Sequence, residues 1–243
     1  MKSIDFTVSP LLVFLLLGFI PVAYAQNLGV TQSFRAISLD QPINDLALVT
    51  GDTLVDFEIP SHRRSQAYLY QGDRVMKFVK KGTPVPEEGI ATLPVIMQVP
   101  VNSSLVNPLY IFYPKVGEED AAYGVFSVED SPGRWGGGET LFVNLSPYPL
   151  LLLLGEDGVE RVELQPQGTL IHSFEQESVN VRVRVAAFVD DAVHKGMDTR
   201  IFPASTHRDL YFIYPLKKGD TGNVRMRLLR EHLNAAIRAY DKS

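Results

Sequence analysis

The hexapeptide Leu109-Tyr110-Ile111-Phe112-Tyr113-Pro114 returns 101 residues later as Leu210-Tyr211-Phe212-Ile213-Tyr214-Pro215. Each copy is followed by a charged, glycine-containing loop and a new apolar strand pattern, over 125–128 after the first and 224–228 after the second. Upstream, segment 46–60 runs strand, turn with Gly and Asp, strand, closing Pro, and segment 151–166 runs through the same order at an offset of 105 or 106. Features in one order at nearly one offset predict a duplication, with two copies of a unit of about 100 residues, an ordinary domain size.

The unit reads as β-structure. Val179, Val181, Val183 and Val185 alternate with Asn180, Arg182 and Arg184, the period-two pattern of a strand with one buried face. Turn chemistry interrupts such runs at short intervals, as at Thr50-Gly51-Asp52, Lys81-Gly82-Thr83-Pro84 and Glu156-Asp157-Gly158. With 18 Gly and 16 Pro the chain is punctuated too often for long helices. The expected fold class is all-β: two tandem immunoglobulin-like β-sandwich domains, over 27–130 and 139–243. A Gly-rich linker, 131–138, joins them, its Pro-Gly pair and three consecutive glycines suggesting a mobile loop. The period changes only at the end, where Leu233, Ala236, Ile237 and Tyr240 fall on one face of a short C-terminal helix. That face is expected to pack on the second domain, since so short a helix is marginal alone.

The amino terminus has the order of an export signal. Lys2 is followed by the apolar run Leu11-Leu-Val-Phe-Leu-Leu-Leu-Gly-Phe-Ile20, then Pro21 and Ala23-Tyr24-Ala25. A basic start, an apolar centre and a small-x-small site mark a secretory signal peptide over 1–25. The apolar stretch is shorter than the ~20 residues a membrane span needs, and no later segment is long enough either, so no transmembrane segment is expected after cleavage. Removal of 25 residues leaves 218, enough for a core that needs no disulfide, and the chain has no Cys. Export without cysteine points to a bacterial envelope, periplasmic or secreted. Asn102-Ser103-Ser104 and Asn144-Leu145-Ser146 match the glycosylation sequon, a short pattern common by chance.

Chemistry is sparse. The net charge of −5 argues against nucleic acid, which calls for a basic face. Without Cys there is no thiol nucleophile, iron–sulfur cluster or Cys-ligated zinc. No Gly-x-Ser-x-Gly elbow, His-Glu-x-x-His or phosphate-cradling glycine loop is present. Asp190-Asp191-x-x-His194 with Asp198 has the ligand types of a metal site but reads as a polar loop, and Glu118-Glu119-Asp120 as a solvated hairpin tip. No catalytic residue, cofactor or metal is therefore assigned.

What one repeat has and the other lacks is the better guide to function. Ser61-His62-Arg63-Arg64-Ser65 stands where the second copy has Gln165-Pro166-Gln167-Gly168, and His62, Arg63 and Arg64 could hold an anion. Arg134-Trp135 lies in the glycine loop, where the lone Trp either plugs the seam between domains or stacks on a ligand. These five are the candidate binding residues. The expected function is that of an exported, non-enzymatic protein of the bacterial envelope, in a binding or structural role, contacting a protein partner through loops and edge strands. The alternative is a carbohydrate-binding surface module. The gross plan is similar to that of periplasmic pilus chaperones, whose characteristic sequence patterns are not found here.

Overall fold

The computed structural model describes residues 29–114, 123–156, 160–174, 180–190, 192–215 and 223–241. The expected export signal, the 118–120 acidic triplet, Asp157-Gly158 and Asp191 lie outside the described residues.

Among the described residues, sixteen strands, a 3-10 turn at Ile90–Thr92 and one α-helix follow one another along the chain. The first eight are β1 (Val30–Ser38), β2 (Ile43–Thr50), β3 (Thr53–Ile59), β4 (Tyr68–Gly72), β5 (Val75–Lys80), β6 (Met97–Pro100), β7 (Pro108–Pro114) and β8 (Tyr123–Glu129). The second eight are β9 (Glu139–Asn144), β10 (Leu150–Leu154), β11 (Glu160–Leu164), β12 (Thr169–Ser173), β13 (Val181–Val189), β14 (Ala192–Ile201), β15 (His207–Pro215) and β16 (Val224–His232). Helix α1 (Leu233–Tyr240) closes the chain.

The first eight form two sheets, β4-β1-β7-β8 and β3-β2-β5-β6, and the second eight form β12-β9-β15-β16 and β11-β10-β13-β14. Every strand of the first sandwich therefore has its counterpart eight places on. Even the unusual pairing is kept: β1 runs parallel to β7, and β9 parallel to β15, in otherwise antiparallel sheets. The fold is two tandem β-sandwiches of one topology, with a short C-terminal helix.

The repeated hexapeptide forms the central strands β7 and β15. Tyr110 and Phe112 face the core of the first sandwich, where Phe34, Phe57, Tyr68 and Phe78 also meet. Tyr211 and Ile213 face the core of the second. The other face of each strand does not meet water. Leu109, Ile111 and Tyr113 join Leu210, Phe212 and Tyr214 in a third core, with Ile37, Leu39, Val128, Leu141, Val143, Leu145 and Leu229. The two sandwiches are thus packed sheet against sheet. An apolar run with no alternation is what a strand buried on both faces requires.

Helix α1 buries a narrower face than its periodicity suggests. Ala236 is buried, while Ile237 and Tyr240 are 40% and 37% exposed. The helix is also tied to the first sandwich: the Arg35 guanidinium donates to the Ala239 carbonyl at 2.6 Å. Burial pulls the Arg35 pKa below its ordinary value, against the pull of Asp130 and Glu231.

Candidate interaction site

The seam between the sandwiches contains a closed set of charges. Asp130, 1% exposed, follows β8 and accepts from Arg64 Nε and Nη2 at 2.6 and 2.7 Å. Arg208 of β15, fully buried, donates to the Asp130 carbonyl at 2.8 Å and to Glu231 of β16 at 2.7 and 3.0 Å. Glu231 also lies 3.2 Å from Arg64 Nη1. Burial works against the Arg64 charge, but Asp130 and Glu231 outweigh it and raise the Arg64 pKa. Two arginines and two carboxylates drawn from both sandwiches satisfy one another, the condition under which buried charge is tolerated.

Trp135 completes this arrangement. Its ring is 1% exposed and packs in the seam core, Arg208 Cζ lies 4.7 Å from its centroid, and its Nε1 donates to the Glu129 carbonyl at 3.3 Å. The neighbouring glycines answer a steric demand. A Cβ on Gly137 would meet the Ser205 carbonyl oxygen at 1.8 Å, and the Gly138 N–H donates to the carbonyls of Ala204 and His207.

Of the five candidate residues, Arg64 and Trp135 are thus spent within the seam, and His62 and Arg63 are exposed on the loop before Arg64. Arg134 alone lines a groove. That groove, of about 370 Å³, runs between β8 and the edge strand β12, with Phe126 and Val128 on one side and Thr169 and Ile171 on the other. Leu141, Leu105 and Arg134 also line it. A second concavity of about 360 Å³ opens between β8 and the end of β6, lined by Val99, Val101, Tyr110 and Val125, and shares Phe126 and Ser127 with the first. Edge strand β8 therefore borders two hollows.

The duplication shows what is special about β8. Its counterpart β16 carries Arg225, Arg227, Arg230 and Glu231 and lies against β14, which closes that side of the second sandwich. Charged residues on an edge discourage further pairing. Strand β8 reads Tyr-Gly-Val-Phe-Ser-Val-Glu, with no charge before Glu129 and no proline. Glu129 itself is occupied, accepting from the N–H groups of Val106, Asn107 and Ser131.

No protein-family model matches the chain, and no curated protein matches its sequence. The site is therefore read from its own chemistry. Among the described residues no three His, Asp or Glu side chains gather where a metal could sit, and Asp198 is engaged by Arg182 at 2.6 and 2.8 Å. No described helix is long and apolar enough to cross a membrane. Asn144 of the second sequon is fully buried, its side-chain amide donating to the Tyr148 and Leu164 carbonyls, so it cannot accept a glycan in the folded chain. The groove beside β8 went unread in the sequence because it is made by strands far apart in the chain. A signal was available in the uncharged β8 set against the arginines of β16.

Proposed function

We propose that this chain is an exported, non-enzymatic protein of the bacterial envelope that takes an extended segment of a partner protein onto β8. The observation that carries the reading is the uncharged edge of β8 with two hollows beside it. Side chains of an added strand point alternately to the two faces, so its residues would divide between the two hollows. Main-chain pairing would give affinity, and the hollows would choose among side chains. The fixed seam supports this role, because it holds β8 and β12 at one separation and leaves the groove preformed. The export-signal pattern over 1–25 supports a meeting in the envelope.

The test uses envelope fractions passed over the immobilised protein. A partner should be retained by the wild type and lost by Val125→Lys and by Phe126→Lys, which charge the two hollows, while Leu228→Lys on β16 retains it. Amide exchange should slow in β8 when the partner binds. Retention by both β8 variants, or release by a soluble polysaccharide, would sink the reading.

A further inference from the structure

The outer faces of the two β2-type sheets differ in one respect. In the first sandwich, Ala47 lies between Asp56 and Val79, and Val49 between Leu54 and Lys77. In the second, Leu151 lies between Glu163 and Ala186, and Leu153 between Arg161 and Arg184. Both sets lie on the outer face of the corresponding sheet in the same topology. On the first sandwich they are covered: the connection 81–96 between β5 and β6 lays Ile90 and Leu93 over Ala47, Val49, Leu54 and Val79. On the second sandwich the corresponding connection, between β13 and β14, is only residues 190–191, and it cannot reach back over the face. Leu151, Leu153, Ala186 and Phe188 are half-buried and belong to none of the apolar cores among the described residues, although Leu153 is larger than Val49.

This half-buried face is also cationic. Arg182 is paired with Asp198, and Arg200 with Glu156. Arg161, Arg184 and Lys195 have no ion pair among the described residues, and Arg184 Nε is buried without a hydrogen-bond partner. Among the described residues, Glu163 is a carboxylate on the face with no ion pair to offset them. The potential is felt by the paired acids: hydrogen bonds from Arg200 and Arg182 hold Glu156 and Asp198 below the ordinary carboxylate range, with Arg184 adding to both.

We propose that the outer face of sheet β11-β10-β13-β14 is a second docking surface, which takes an acidic, apolar segment of a partner protein in the place that 81–96 fills on the first sandwich. The chemistry of the occupant follows from both observations. Leucines in a shallow row call for aliphatic side chains, and the surplus cations call for carboxylates beside them. The first sandwich's own cover has that character, with Glu87-Glu88 preceding Ile90 and Leu93. The surface is on the sheet turned away from the seam and is independent of β8.

The test begins with displayed random dodecapeptides selected on the purified protein and counter-selected on its Leu153→Asp variant. The selected peptides should carry Asp or Glu beside Leu, Ile, Val or Phe. By fluorescence anisotropy they should bind Leu153→Asp and Arg184→Glu about tenfold or more weakly, and Phe126→Lys as the wild type. Arg184→Gln, which removes charge with little change of shape, should fall between, and thermal midpoints show that each variant is folded. The proposal is overturned if no selected peptide discriminates against Leu153→Asp, or if those that do are neutral or basic. It is equally overturned if phosphatidylglycerol vesicles, and no peptide, bind through Leu153 and Arg184, since the occupant would then be a membrane.

Discussion

Gly137 has no room for a methyl group: the Ser205 carbonyl oxygen would stand 1.8 Å from its Cβ, and backbone cannot move aside as a flexible side chain can. Gly137→Ala should cost about 3 kcal/mol, the upper range for overpacking. Gly133→Ala, in the same segment but facing open space, should be within about 0.5 kcal/mol of neutral. Urea unfolding of the pair separates a steric demand from a demand for flexibility, and equal costs would refute the distinction. Arg64 makes a second residue-scale case. Arg64→Met leaves Asp130 buried with only the longer 3.4 Å approach of Arg208, and should cost about 3–5 kcal/mol by the same measurement. A loss below about 1 kcal/mol, the range of surface pairs, would mean that the network is dispensable. The arginines of 61–65 were visible in the sequence as charge, but not as structure. The partners of Arg64, Asp130 and Glu231, are distant along the chain, and spacing carries no information about distant pairs.

At the scale of the element, the strands were legible and their second faces were not. The alternation of β13 announced one buried face, and the turn residues placed its neighbours. The hexapeptide of β7 and β15 carried more than that, because an unbroken apolar run means a strand covered on both sides. Its tyrosines divide accordingly, Tyr110 and Tyr211 into the separate sandwiches and Tyr113 and Tyr214 toward the seam. The C-terminal helix was legible by period, but its docking was set by Arg35, which no periodicity reveals. The β13–β14 hairpin supports a prediction about pH. Glu156 and Asp198 are each held below their ordinary values by an arginine hydrogen bond. A carboxylate with a depressed folded pKa stabilises the fold above its unfolded pKa, and that contribution disappears as the pH falls through the folded value. Stability should therefore decline in acid from the ordinary carboxylate range downward. Glu156→Gln and Asp198→Asn should each flatten that slope while changing little at pH values well below both pKa values. Both pairs are solvent-exposed, so the effect is small, and high salt should reduce it. Urea midpoints measured across the acid range would show it. A slope unchanged in the double variant would remove these pairs from the account.

The whole molecule is organised by the seam. The two sandwiches share one topology, and each has a sheet whose outer face is apolar: Ile37, Leu109 and Ile111 on one, Leu141, Leu210 and Phe212 on the other. A monomeric protein rarely leaves so large an apolar patch in water. Each sandwich covers the patch of the other, and the Arg64–Asp130–Arg208–Glu231 set, buried except for a part-exposed Glu231, favours one alignment, since misalignment would leave charges unpaired. The two halves should accordingly unfold together. Calorimetry of the purified protein should show one transition whose van't Hoff and calorimetric enthalpies agree, the signature of a single cooperative unit. Trp135→Ala removes the largest side chain from the seam and should lower stability by about 3–5 kcal/mol, the usual cost of emptying an aromatic site. If the seam is what couples the halves, combining Trp135→Ala with Arg208→Met should split the single endotherm into two, one for each sandwich. Either sandwich expressed alone should self-associate through its exposed sheet. Two transitions in the wild type, or soluble monomeric halves, would show instead that the sandwiches fold independently. The β8 groove, which needs β12 held opposite, would then have no fixed width on which partner selection could depend.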